Sequence, residues 1–433
     1  MVYYLTKTIG VLALQTVNIK NGVNIHFIEG DRFKTSLLTF NFTRPLQNPE
    51  ASYNALIPAV LRRGCNRYPK SSYLNTYLDD LYGANASYAI KKKGANQIVS
   101  IRFSTICDSI VPDLKPFSKL CALAKQMIYN PYLPNGDVFD SEYVEREKTN
   151  LIQFIESIVN DKKEYAKKRL TEEMYKGETF GIFEFGDIEE IRKITPTSLY
   201  DYYKNLLSTS SLDIFVSGKC DKEYIIDIIK QAYEELDVIP TSYIKPSFNG
   251  YSQSPKYISE ENDITQGKLS IGFKTEITAN DDLYFATVVF NNLFGGSPHS
   301  KLFLNVREKL SLAYYANSGY DGYKGLVIVN CGIEFDKYEV TLKEVSAQLE
   351  DMKNGNFTED DILASKLAIS GSYNSAKDSL SIMEEFSFGG ILTGLNLSLE
   401  QSLEKINAVT KEDIIKAAKA VTLDTVFFLK GGK

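Results

Sequence analysis

The stretch NALIPAVLRRGCNRYP, residues 54–69, reads as a helix that ends at a glycine and runs into a turn. Apolar side chains dominate up to Leu61, two arginines follow, and Gly64 marks the stop. Pro58 interrupts the pattern. It has no N–H to give and crowds the preceding turn, so it is expected near a first turn or at a kink. A second stretch answers this one. DLYFATVVFNNLFG (282–295) falls on ASYNALIPAVLRRG (51–64), glycine on glycine.

The correspondence extends outward in both directions. LLTFNF (37–42) falls on LSIGF (269–273), and QIVSIRF (97–103) falls on GLVIVNCGI (325–333). LNTYLDDLYGANASY (74–88) lies near LNVREKLSLAYYANS (304–318). ITPTSLYDYYKNLLSTSSLDIFVSGKCD (194–221) matches VTKEDIIKAAKAVTLDTVFFLKGGK (409–433), each a Thr-capped helix, a turn and a strand. Self-similarity on this scale means two homologous halves. Each half alternates strand pairs with helices, which predicts an α+β fold with an antiparallel sheet covered by helices. Residues 1–238 form the first domain on this reading and 258–433 the second. The Pro-, Ser- and Tyr-rich segment 239–257 is the linker. Residues 140–175 are expected to form one long amphipathic helix.

Composition narrows the function. The 433 residues are 43% hydrophobic and 24% charged, with a net charge of −6 and no long basic run, so nucleic acid is not the expected partner. The N-terminal stretch lacks the basic and apolar regions of a signal peptide, and no apolar run is long enough to span a bilayer. The five scattered cysteines include no CxxC and point to reduced thiols in a cytoplasmic protein. The two histidines, His26 and His299, lie far apart with no ligand spacing, so a structural or surface role is expected for each.

The order of motifs carries a more specific signal. The second half holds LFGGSPHSKLFLNVREKLSLAYYANS, with GG, S-x-L-F, V-R-E-K and L-A-Y in sequence. With RRG and the two capped helices, it resembles the insulinase-like, inverted-motif (M16) zinc peptidase family, in the processing-peptidase branch. The resemblance covers essentially the whole chain and implies the metallohydrolase fold of that family. Active members carry His-x-x-Glu-His on the first helix, where two histidines one turn apart hold zinc and the glutamate polarises water. Aligning RRG with the family's glycine puts the histidine positions on Ala55 and Ala59 and the base on Pro58. Anchoring on EREK (145–148) puts the distal ligand on Phe154, with Glu147 and Glu156 nearby. The chain therefore resembles the degenerate, zinc-site-less member of paired bacterial proteins, with no cofactor of its own and zinc in the partner.

The resemblance also implies what this chain keeps. In two-chain members the half without zinc lends an arginine and a tyrosine, seven residues apart, to the partner's active site. Arg307 and Tyr314 match that pair. Helical spacing would return them to nearly one face. Asn85 and Ala86 match an Asn-Ala on the edge strand that pairs with substrate peptide. The expected function is that of a non-catalytic subunit of a heterodimeric peptidase. Its partner is a homologous chain with His-x-x-Glu-His, its substrate a peptide or unfolded polypeptide, and alone it is able to homodimerise. The rival reading is an inert peptide-binding or scaffold protein. A third is an independent metalloenzyme using Asp79, Asp80 and His299, although carboxylates without clustered histidines suit hard cations.

Overall fold

The computed structural model describes residues 4–6, 14–234 and 236–432. Strands β1 (Tyr4–Thr6), β2 (Leu14–Lys20), β3 (Val23–Ile28) and β4 (Thr35–Pro45) lead into helices α1 (Glu50–Leu61) and α2 (Ser71–Asp80). The hairpin β5 (Asn85–Lys93) and β6 (Asn96–Ile106) follows, then α3 (Pro116–Tyr129) and α4 (Ser141–Ser157). Next come α5 (Lys162–Met174), α6 (Ile188–Lys193), α7 (Pro196–Thr209), β7 (Ser211–Ser217) and α8 (Lys222–Tyr233). The remainder comprises β8 (Lys256–Asn262), β9 (Gly267–Lys274), α9 (Tyr284–Asn291), β10 (Ala313–Asp321) and β11 (Leu326–Ile333). After these come α10 (Tyr338–Lys353), α11 (Glu359–Ala376), α12 (Leu380–Thr393), α13 (Leu399–Ala408), α14 (Lys411–Lys419) and β12 (Thr422–Gly431).

The fold is α+β, with two sheets covered by helices. The first sheet runs β1-β2-β3-β7-β4-β6-β5, the second β10-β11-β9-β12-β8. Reversed, the second reads β8-β12-β9-β11-β10, the same order as β3-β7-β4-β6-β5. Each has one parallel pair, β3 with β7 and β8 with β12, in the same place. The capped helices correspond too. Thr195 and Thr410 each form a capping box with the residue three positions on.

The chain divides into two compact units, but not by a single cut at the linker. One comprises Met1–Glu156, Ile182–Ile244 and Ser379–Gly389, the other Ser157–Gly181, Lys245–Asp378 and Gly390–Lys433. The segment 140–175 accounts for one exchange. It is two helices rather than one, broken by a 3-10 turn at Ile158–Asn160. Asp161 then caps α5, accepting from the amides of Lys163 and Glu164 at 3.1 and 3.2 Å. A short acid whose side chain bonds nearby backbone amides starts a new helix more readily than it continues one.

Each sheet thus has a second face covered by a helix from the opposite half of the sequence. In the first unit, Leu38, Phe40 and Phe42 of β4 join Phe103, Leu56 and Leu120 in the main core. Burying each such phenylalanine contributes roughly 1.5–3 kcal/mol. The alternate residues of β4 are polar yet equally buried. The start of α12 explains them. Glu384 accepts from Thr39 Oγ1 at 2.8 Å, Ser217 Oγ at 2.7 Å and Arg102 Nη2 at 3.1 Å. Glu385 beside it pairs with Lys91 and Lys93 at 2.6 and 2.7 Å. In the second unit, Ala166, Leu170 and Met174 of α5 pack against Ile328, Phe427 and Leu429.

Candidate functional site

Helix α1 positions the first set of candidates. Pro58 lies inside this helix, not at its first turn. Ala55, Pro58 and Ala59 are all buried. Gly64 then allows the tight turn that follows, because a Cβ there would lie 2.5 Å from the Pro69 carbonyl oxygen and 2.7 Å from that of Tyr68. The turn closes through paired main-chain bonds between Cys65 and Tyr68.

A metal does not fit the residues present. Two methyl groups and a pyrrolidine ring offer no lone pair to a cation. Phe154, at the distal-ligand position on α4, packs against Phe185 with ring centroids 4.8 Å apart and the rings tilted by 55°. Glu147, two turns earlier on α4, is already engaged. Its carboxylate is paired with Arg63 at the end of α1 and accepts from Asn150 Nδ2 at 3.1 Å. Its side chain is only 8% exposed. The pair ties α1 to α4 with an ion pair. Among the described residues no three His, Cys, Asp or Glu side chains are placed to hold a metal ion, and that includes Asp79, Asp80 and His299. His26 is buried, bonded to Asp213 at 2.8 Å and to Thr16 at 2.9 Å. The five cysteines are free thiols, and burial pushes Cys220 and Cys331 up to about 12, which makes them poor nucleophiles.

Asn85 and Ala86 begin β5, an edge strand of the first sheet. Asn85 is exposed and Ala86 is buried. The carbonyl of Ala86 accepts from Arg62 Nε at 2.8 Å. Sequence reasoning gave no role to Arg62, which lies two residues before Gly64. Its signal was a second arginine at a helix end where one would satisfy the last carbonyls.

Arg307 and Tyr314 lie in the second unit. They are not on one helical face, as their spacing suggested. Arg307 belongs to a π-helical segment, Leu302–Lys309, and Leu310 closes it. Ser311 follows in the left-handed region at φ 49°, and Tyr314 is already in β10. The π-helical segment packs along β10, so both residues belong to one end of the unit. Tyr314 sits at a register shift between Ala313 and Tyr315, on the edge strand of the second sheet. A bulge of this kind re-aims a side chain.

The consequence is visible in the adjacent tyrosines. Tyr315 packs inward beneath Lys163 and Lys268, and Gly332 makes room for its ring; a Cβ there would lie 2.4 Å from Tyr315 Cε1. Tyr314 is 60% exposed and its hydroxyl makes one long bond, to Glu334 Oε1 at 3.4 Å. The Arg307 side chain is 41% exposed, stacked on Phe303 at 4.6 Å, with Glu308 at 3.6 Å. A planar guanidinium and a phenol, both turned to solvent with weak internal partners, can donate to a polarised carbonyl or a carboxylate.

Comparison with known proteins adds an independent finding. The family described as "Peptidase M16 inactive domain" matches residues 193–369. The chain is 37% identical over 411 residues to "Probable inactive metalloprotease YmfF" of Bacillus subtilis, covering 95% of this chain and 96% of that protein. It is 24% identical over 281 residues to "Uncharacterized zinc protease YmxG" of the same organism, covering 64% of this chain and 67% of that one. The crystal structure of a conserved protein from Enterococcus faecalis V583 superposes with a TM-score of 0.89 at 31% identity, covering 96% of this chain and 98% of that one.

Proposed function

Since the chain belongs to the M16 peptidase family as an inactive homologue, we propose that it is the non-catalytic subunit of a two-chain zinc peptidase. Its partner is a homologous chain carrying His-x-x-Glu-His and the zinc. This chain completes the closed chamber and lends Arg307 and Tyr314 to the partner's site. The observation that carries the reading is the contrast between the two candidate regions. The positions matching the metal motif hold Ala55, Pro58 and Ala59, whereas Arg307 and Tyr314 remain exposed with no strong partner among the described residues.

The chemistry assigned to this chain is recognition and charge stabilisation. Arg307 offers a fork of N–H donors and Tyr314 an O–H donor to the scissile carbonyl, whose oxygen gains negative charge as it is attacked. Such donors matter most where water is excluded. The free cysteines and the absence, among the described residues, of a helix long and apolar enough to cross a membrane are consistent with the cytoplasmic placement we propose.

The test is reconstitution of the chain with a homologue bearing His-x-x-Glu-His, with cleavage of an unfolded polypeptide as readout. Cleavage by the mixture that is lost with Arg307→Ala supports the reading. Full activity of the Arg307→Ala mixture removes the donation in trans. A second reading, an inert peptide-binding protein, draws on the outer edge of β5, with which no strand among the described residues pairs.

A further inference from the structure

Glu384 meets the polar face of β4 at Thr39. Further along that face lies a block of oxygens that α12 does not reach. Successive side chains of a strand point to opposite faces, and residues directly opposite each other on neighbouring strands share one. Phe40 and Phe42 of β4 and Leu212 and Ile214 of β7 belong to the main core. Asn41 and Thr43 therefore share the other face with Asp213 and Ser211, their register partners on β7. The four side chains form a block two residues long and two strands wide, with Cβ atoms about 4.5–5.5 Å apart across the strands.

Several of these oxygens have nothing to bond. Asn41 and Asp213 are each 3% exposed, and Thr43 is fully buried. Asn41 Oδ1 and Thr43 Oγ1 are enclosed with no hydrogen-bond partner among the described residues. Asp213 Oδ1 lies 2.8 Å from His26 Nε2, whereas Oδ2 has no partner among the described residues. No lysine or arginine among them pairs with this carboxylate. Ser211 Oγ gives its proton to the Thr241 carbonyl at 2.8 Å and keeps its lone pairs free to accept. The segment after α8 straps this end of the sheet. Thr241 N donates to the Thr209 carbonyl at 2.8 Å, and Ile244 exchanges two bonds of 2.7 Å with the side chain of Asn96 at the start of β6. Burial first, then the Asp213 charge, raises the phenol of Tyr243 between them, which sets that ring in the field of the carboxylate.

A buried acceptor without a donor is costly, and a buried charge without a countercharge more so. A water molecule would satisfy the lone pairs but bring no charge to Asp213 Oδ2. One carboxylate and three neutral oxygens carry a single negative charge. Calcium takes six to eight oxygens, and magnesium keeps several waters, for which a closed block of this kind is poorly suited. We propose that Asn41, Thr43, Ser211 and Asp213 hold a monovalent metal cation, sodium or potassium, on the second face of the first sheet. The ion ties β4 to β7 and, through Ser211 and Thr241, to the strap beyond them. The site uses residues of the first unit alone, so it and the two-chain reading can fail separately.

The test unfolds the full chain in urea at constant ionic strength in choline, sodium or potassium chloride. The unfolding constant is expected to fall as sodium or potassium replaces choline, by up to about tenfold for each tenfold rise in the ion. Asp213→Asn and Asn41→Leu, each close in size to the residue replaced, remove this dependence. Crystals of the unmodified chain in the more stabilising salt and in choline give a direct readout should a variant fail to fold. Density between Asn41 and Asp213 is expected in the first and not in the second. Equal urea midpoints in the three salts overturn the proposal, and the same density in both crystals marks a water and overturns it too. A salt dependence that survives both substitutions overturns the assignment to these residues. Stabilisation by calcium equal to that by the monovalent ions overturns the assignment of charge.

Discussion

The α1 region of the first unit and the β10 end of the second belong to two copies of one fold, at different places in it, and they have been treated in opposite ways. Around α1, positions that match metal ligands hold small or apolar groups, and the α4 carboxylate Glu147 is consumed in an ion pair with Arg63. Around β10, Arg307 and Tyr314 are exposed, and their polar contacts among the described residues are long. A buried polar group without a partner is costly, so a metal-ligand cluster that no longer binds its ion is under physical pressure to become apolar or to pair internally. Exposed donors feel no such pressure. The first region has become part of the chain's stability, and the second is free to serve something outside it.

That contrast can be broken by substitution. Arg307→Ala should lower kcat/KM of the reconstituted pair by about 10²- to 10³-fold, the cost of removing one donor to a developing oxyanion. Its own unfolding should change by less than about 0.5 kcal/mol, because the side chain is a surface one. Arg63→Met should do the reverse. It strands the buried Glu147 carboxylate and should cost about 2–3 kcal/mol of stability, read from the urea midpoint at constant slope. If it instead left stability unchanged, Glu147 would not depend on the pair. Tyr314→Phe removes one neutral donor and should reduce cleavage about tenfold with KM little altered.

The smallest effect concerns how the α12 segment is held. Burial works against the Glu385 carboxylate, but Lys93 and Lys91 together hold it down at about 2. A depressed carboxyl stabilises the fold above its unfolded pKa and loses that contribution as pH falls through the folded value. The window therefore runs from about pH 4.5 down to about 2. Because the pair is partly solvated, Glu385→Gln should cost on the order of 1 kcal/mol near neutral pH. The difference from the unmodified chain should shrink across that window in urea titrations. Glu384 next to it runs the other way. Burial raises it despite Arg102, Ser217 and Thr39, so its charge opposes folding at neutral pH and that penalty fades as pH falls.

The repeat was legible because strand alternation and capped helices are local signals, and two copies of the same run of signals give the same sheet order twice. The exchange of α5 and α12 was not. Nothing in LLTFNFTR announces that its buried polar face meets Glu384, which lies hundreds of residues away. Nor does spacing announce that the helical segment carrying Arg307 ends at Lys309 and that Tyr314 already lies in β10, so that the two share no helix face. The residue types at Ala55, Pro58, Ala59 and Phe154 could be read directly, since chemistry that is missing from a side chain is missing in any fold. The contact of Arg62 with Ala86 could not, because it depends on which carbonyl of an edge strand faces outward, and that is a matter of hairpin register.

The pairing of the two chains can be measured outright. The chain, a homologue bearing His-x-x-Glu-His, and the two mixed are each assayed for native mass and for cleavage of an unfolded polypeptide. An equimolar complex of the two chains is expected, with cleavage appearing only in the mixture. Separate elution of the two chains, with the homologue cleaving equally well alone, would contradict it.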